Sequence, residues 1–416
     1  MMAIYRGINL TKVIIKFVVL ILIFIPNISN SKEQTFDSWD FSGVLYNKAI
    51  HKDNNNLKLF LQEDSNSTSV YNAQLRLMAN YHHPSDIFKA TMHLRNDATF
   101  ASNDFQKPEE LKKYRYFDMT NIGYHNDKYF ATSVDRLNFT YSHDFFDVIV
   151  GRQAITYGKA FFWNLLDVFE PYDPATVIRD YKTGIDAVKV EIPLGSFSGL
   201  DLVYSPTKKY GSVQEDQSSL LAHYYTNLKG WDVAFQTGKV YAGYQNGVGI
   251  TGDYKGIEIR GEANYFNSNN LLDIDDYSSF VLGAGYRFEN SLHFQAEYHY
   301  NDAGTKHSSQ RNKINDISVE NGVTTNISRD IFAFSASYEF LPILIGRLSL
   351  LGSCNDGSFQ IQPDFNYSIS DNIDLTFIAN LNRGDKPTKD INGNYTINSE
   401  FGRLPDVYTL ELKWYF

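Results

Sequence analysis

The chain has 416 residues and a formal net charge of −10, with 38 Lys and Arg against 48 Asp and Glu, 29 Tyr, 30 Phe and a single Cys. An acidic chain lacks the basic footprint that neutralises phosphates, which excludes nucleic acid as a partner, and Cys354 alone excludes an intrachain disulfide framework or a multi-cysteine metal site. With a mean hydropathy of −0.34 and one continuous apolar stretch, the chain is not a bundle of membrane-spanning helices, and its aromatic content argues against disorder.

The first element in chain order reads as an export signal. Arg6, Lys12 and Lys16 precede the apolar run Phe17 to Ile25, which Pro26 ends, and Ser29 and Ser31 stand three and one positions before a cut after Ser31. Charged start, short apolar middle and small-residue exit define a cleaved signal peptide over 1–31. A membrane anchor needs about 20 apolar residues, more than this run supplies. Cleavage removes those three cations and leaves 32–416 as the mature chain, with 35 basic against 48 acidic side chains.

The mature chain is dominated by period-two alternation in segments of about ten residues. Phe88, Ala90, Met92 and Leu94 alternate with Lys89, Thr91, His93 and Arg95; Leu292, Phe294, Ala296 and Tyr298 alternate with His293, Gln295, Glu297 and His299. Eighteen strands are expected, at 39–50, 68–82, 85–97, 132–143, 145–156, 185–192, 197–206, 218–228, 231–239, 244–254, 257–266, 279–288, 292–300, 330–340, 345–353, 358–369, 373–382 and 406–416. Every connection after an even-numbered strand is short. Those after odd-numbered strands are mostly long, including 51–67, 98–131, 157–184, 301–329 and 383–405, with exceptions near Ala242 and Cys354. Long loops at every second turn are the pattern of an outer-membrane barrel, with tight periplasmic turns and long external loops. The expected fold class is therefore all-β: a closed antiparallel transmembrane β-barrel of eighteen strands in one domain, with sixteen strands the alternative. Closure pairs every backbone group, as lipid requires. Pro363 has no N–H to give a sheet without edges, which predicts a bulge or a strand end there.

Most apparent chemical motifs fall to their context. Gly247-Val-Gly249-Ile-Thr-Gly252 spells a dinucleotide fingerprint, but inside an alternating strand rather than between a strand and a helix. Gly195-Ser-Phe-Ser-Gly199 has its serine one place late for a nucleophile elbow and reads as a turn. Cys354 sits beside the turn sequence Asn355-Asp356-Gly357. His93, His293 and His299 fall on polar faces of separate strands and read as lumen groups rather than ligands; Asp273, Asp275 and Asp276, and the stretch Asp390 to Asn394, lack full calcium-loop spacing. No catalytic residue, metal site or cofactor is expected, and the protein is not read as an enzyme.

In the last strand, Tyr408, Leu410, Leu412, Trp414 and Phe416 share one face and the chain stops at the aromatic. This resembles the C-terminal assembly signal of Gram-negative outer-membrane barrels. Gly151-Arg152-Gln153, Tyr157-Gly158-Lys159, Phe162-Trp163-Asn164, Asp167-Val168-Phe169-Glu170-Pro171 and Gly184-Ile185-Asp186-Ala187 together resemble porin-like proteins of proteobacteria, nearest the eighteen-stranded substrate-selective and alginate-export type channels. The resemblance implies an outer-membrane location, lipid and the barrel-assembly machinery as partners, and passage of small hydrophilic solutes, with homo-oligomers left open. An outer-membrane enzyme or an adhesin anchored by the barrel is the alternative.

For such a channel, alternation directs Arg76, Lys89, Arg95 and Arg136 inward with Asp97 the one acid among them, joined by Arg152. Across the ring it directs Glu258, Glu262, Glu289 and Glu297 inward, tempered by Arg260 and Arg287. A mostly basic wall facing a mostly acidic one predicts a transverse field, the alternative being mixed charges that only keep the lumen hydrated. The connection 157–184 is too apolar for water, with Phe161, Phe162, Leu165 and Phe169. By analogy with the third loop of general porins it is expected to narrow the lumen through Lys159, Trp163, Asp167, Glu170, Asp173, Arg179 and Asp180, the alternative being a lid or an oligomer contact outside the barrel.

Overall fold

The computed structural model describes residues 38–54, 57, 60, 67–102, 114–125, 128–176, 179–209, 212–215, 217–269, 275–306, 326–389, 391 and 395–416. The expected signal peptide, Asp273 and most of Asp390 to Asn394 lie outside them. The barrel strands are β1 Trp39–Asp53, β2 Ser67–His82, β3 Phe88–Ala101, β4 Lys128–His143, β5 Phe146–Gln153, β6 Ile185–Gly195, β7 Ser198–Ser205, β8 Ser219–Leu228 and β9 Trp231–Val240. They continue as β10 Gly243–Tyr254, β11 Ile257–Ser268, β12 Tyr277–Arg287, β13 His293–Asn301, β14 Asp330–Leu341, β15 Leu344–Ser353, β16 Phe359–Ser370, β17 Ile373–Arg383 and β18 Asp406–Tyr415. Each pairs antiparallel with the next, and β1 pairs with β18 from Val44↔Tyr415 to Asp53↔Asp406, so the eighteen-stranded sheet closes. The described residues contain no helix.

Alternation sorts the two faces as the pleat requires. The outer face carries exposed apolar side chains such as Phe139 (65%) and Leu282 (61%), whereas the inner face carries buried polar ones such as Arg76 (4%) and Gln236 (2%). An apolar exterior around a polar interior is the reverse of a water-soluble fold and suits a lipid surround. At the seam, Gly43 donates its N–H to the Phe416 carbonyl at 2.7 Å and accepts from the Phe416 N–H at 3.0 Å. The Phe416 ring occupies the space a side chain at position 43 would need.

Three local features depart from the expectation. A short strand, Thr120–His125, pairs with β4 beyond the end of β5, and β4 begins at Lys128 rather than 132. A β-bulge in β4 opposite His93 and Leu94 turns Asp135 inward beside Arg136, so Asp97 is not the lone acid of that wall. Pro363 makes neither a bulge nor a strand end. The register to β17 is the same on either side of it, Gln362 and Pro363 simply drop out of the ladder, and the Gln362 side chain donates to Asn380 Oδ1 at 2.6 Å across the gap.

The apolar core lies inside the barrel. Ile155, Tyr157, Leu166 and Phe169 of the β5–β6 connection pack on Ile185, Val203 and Leu221 of the wall, while Phe162 and Trp163 pack on Val281, Ile331, Leu351 and Phe401.

Candidate functional site

The connection 154–184 crosses the lumen, and its course follows from what each side chain can satisfy. Its root is Arg152, wholly buried, which donates from Nε and Nη2 to the two Asp186 carboxylate oxygens at 2.8 and 3.0 Å. The remaining donors reach the Val134 and Phe117 carbonyls at 2.8 and 2.6 Å. This fork geometry holds the two ends of the connection together, so Arg152 is a pin rather than a group facing the pore.

The outgoing limb is tied by its backbone. Glu262 on β11 accepts the amides of Lys159, Ala160 and Leu166 at 2.5, 3.2 and 3.0 Å; Glu297 on β13 accepts those of Phe161, Phe162 and Trp163 at 2.7, 3.1 and 2.8 Å. Between these ties, side chains enter slots left by inward glycines. Phe161 lies against Gly283 and Gly285 of β12, and Leu166 against Gly247 and Gly249 of β10. The fingerprint-like spacing in β10 is thus a socket for the loop. Tyr157 stacks on His223 with ring centroids 4.0 Å apart and donates to Asp201 at 3.0 Å. Trp163 stacks on His299 at 5.2 Å and donates to Asn326 at 2.7 Å.

The turn of the loop is held by Asp173, whose Oδ1 accepts the Ala175 amide at 2.7 Å, and by Gln362 of β16, which donates to the Ala175 carbonyl at 2.7 Å. On the return limb, Arg179 donates back to the Phe161 carbonyl at 2.9 Å, and Asp180 pairs with Lys413 of β18. Tyr181 ends against the basic wall. The Arg76 and Arg136 guanidiniums lie 3.1 and 4.7 Å from its ring centroid, and His93 Nδ1 is 2.6 Å from its hydroxyl. Burial pushes this phenol up to about 12, against the opposing pull of the two arginines. Lys182 pairs with Asp167 within the loop itself. Burial pushes the Asp167 carboxyl up to about 6 despite that ammonium, and drives the Lys182 ammonium down.

Of the constriction candidates, Trp163, Asp167, Asp173, Arg179 and Asp180 are thus structural ties of the loop, Lys159 extends exposed toward Asp232 at 3.6 Å, and Glu170 sits at a positive-φ bend. The acidic wall is altered more. Glu262 and Glu297 lie under the loop with their oxygens taken by amides, Glu258 pairs with Arg260, and Glu289 is in the exposed turn between β12 and β13. On the basic side, Arg76 is buried against Asp135 at 2.9 Å and Lys89 is half-buried. Across the inner face several carboxylates are the buried partners and the cations the exposed ones: Arg95 and Asp97 are 34% and 3% exposed, Arg347 and Asp364 40% and 7%. Asp180 and Glu191 reverse the order. Sequence reasoning missed Asp135, Tyr181, Lys182 and the glycine slots. The slots had a signal, since Gly-x-Gly recurs at inward parity on β10 and β12.

This geometry defines a closed antiparallel barrel with a loop laced across its bore. No family model and no curated protein matches the sequence. Among solved structures, the chain is similar to outer-membrane porins of the Occ type. OccAB2 of Acinetobacter baumannii aligns at 10% identity and a TM-score of 0.58 over 91% of this chain and 98% of that one. OccK5 (OpdH) of Pseudomonas aeruginosa aligns at 10% and 0.57 over 91% and 98%, and its OccK11 (OpdR) at 11% and 0.56 over 91% and 96%. At such identities the likeness is one of fold.

Proposed function

We propose that the protein is an outer-membrane channel that passes small hydrophilic solutes through a lumen narrowed by loop 154–184. The observation that carries this reading is the loop's lacing: one connection is tied to β2, β4, β11, β13, β16 and β18 from inside, between a polar wall and an apolar exterior. A barrel that only anchored external loops has no need of a fixed narrowing. In this reading the signal 1–31 directs export, the assembly machinery of a Gram-negative cell reads the terminal strand, and the long loops face outward. Because the exposed partners of several inner-face ion pairs are cations, the bore favours anions although the chain is acidic.

Planar-bilayer recording of the purified protein tests this. Discrete conductance with an anion-selective reversal potential in a salt gradient is expected. Arg95→Gln and Arg347→Gln each lower that selectivity about twofold, the effect of a unit charge acting across about 8 Å of water. Folded protein without conductance would overturn the channel reading in favour of a barrel that anchors its loops.

A further inference from the structure

We propose that Asn47, Asn96 and Asn246, on the outer surface of the barrel, bind the acyl carbonyl oxygens of the surrounding lipid through their amide N–H groups. Alternation sets all three among exposed apolar side chains. Asn47 shares the face of Phe41 on β1, Asn96 that of Phe88 and Met92 on β3, and Asn246 that of Val248 and Ile250 on β10. The outward row of β3 reads Phe88, Ala90, Met92, Leu94, Asn96, Ala98 and Phe100, so the amide interrupts a face made for lipid. In each case the carboxamide oxygen accepts a hydroxyl from the neighbouring strand: from Tyr71 at 2.7 Å, Thr132 at 2.9 Å and Thr237 at 2.7 Å respectively. The NH₂ group of each has no partner among the described residues. None of these groups is occluded, Asn47 and Asn96 being half-buried and Asn246 exposed.

The three also share a depth. Each stands eight residues along its strand from an aromatic at the short-turn end: Trp39 for Asn47, Phe88 for Asn96 and Tyr254 for Asn246. At about 3.3 Å per residue and a tilt of about 40°, eight residues rise about 20 Å, most of the way across an apolar band about 25 Å tall. Phe100 and Tyr244, four and two residues farther out, mark the far boundary of that band. Just inside it water is scarce, and an amide donor left unmet there costs free energy. The acceptor that lipid presents at this level is the carbonyl joining acyl chain to headgroup; phosphate lies farther out. A carbonyl accepts and cannot donate, so it answers an NH₂ and not an amide oxygen. The hydroxyl bonds sort each carboxamide accordingly, its acceptor satisfied by protein and its donors left for lipid.

The test compares two lipids that differ in this carbonyl alone. The full chain is reconstituted in vesicles of diester or diether phosphatidylcholine with the same headgroup and chain length, and its unfolding midpoint in urea is measured in each. A higher midpoint in the diester lipid is expected. Asn47→Leu, Asn96→Leu and Asn246→Leu together abolish the difference, and each alone removes about a third of it, because sites without shared partners add. Equal midpoints for the wild type in the two lipids would overturn the carbonyl as ligand, leaving the donors to headgroup or water. A difference that the triple variant keeps in full would overturn the location. Should the triple variant fail to insert, the three single variants carry the same test. The proposal rests on the membrane placement of the barrel and not on conduction, so a folded barrel without conductance leaves it standing, and equal midpoints leave the channel reading standing.

Discussion

Glu262 and Glu297 each replace the water around three amides of loop 154–184, consecutive ones in the case of Glu297. Hydrogen bonds to a charged acceptor contribute about 1.5–3 kcal/mol each, and a buried carboxylate is tolerable only when so engaged. Glu297→Gln turns one acceptor into a donor that faces amide donors. The loop in that variant is expected to detach along 161–163, raising single-channel conductance by about twofold or more and exposing the loop to protease; unchanged conductance and unchanged cleavage would refute the tie. Asp167 supplies a pH test. Its docked carboxyl titrates near 6 rather than at the ordinary 3.8, so between these values the docked loop holds a proton that a released loop does not. That contribution to docking is fully present below about 4 and is lost as pH rises through about 6. Amide exchange of 160–168, corrected for intrinsic rate, should therefore be slower at pH 5 than at pH 7, and the difference should vanish in Asp167→Asn.

At the scale of elements, the inward glycines of β12 decide how closely the loop approaches the wall. A side chain at position 283 begins 3.0 Å from the Phe161 ring, tighter than ordinary contact. Gly283→Val is expected to leave the barrel assembled while displacing Phe161, which conductance and protease sensitivity would register together; a wild-type loop in the variant would show that the slot has slack. The strands themselves were legible because the pleat enforces a period of two that any half-buried strand must display. What alternation cannot carry is a break in its own period. The bulge that turns Asp135 inward leaves no mark in the residue types, and the lapse at Pro363 was visible as a conflict but not in its resolution. The loop's apolar content showed that it must be covered, yet its partners Glu262 and Glu297 lie 103 and 136 residues beyond the amides they hold. No local window contains both halves of such a tie, so alternation alone assigns the same carboxylates to the lumen.

At the scale of the molecule, closure rests on the ladder between β1 and β18, which the last residue extends. Deleting Phe416 removes two backbone hydrogen bonds to Gly43 and the ring that covers it, a loss of about 1–3 kcal/mol on the usual scale for such bonds. Urea unfolding in lipid vesicles, followed by tryptophan emission, should shift to a lower midpoint by that free energy divided by the slope, with the slope unchanged. A midpoint equal to wild type would show that the seam is held elsewhere.

The spacing of the loop's ties along the chain also sets a chronology. Asp180 waits for Lys413, 233 residues downstream, and Lys413 belongs to the strand that joins β1 and completes the ring. Closing so long a loop costs entropy that one ion pair does not offset alone, so this contact depends on the pairings that bring β18 to the loop. The full lacing therefore cannot be complete before β18 is in place.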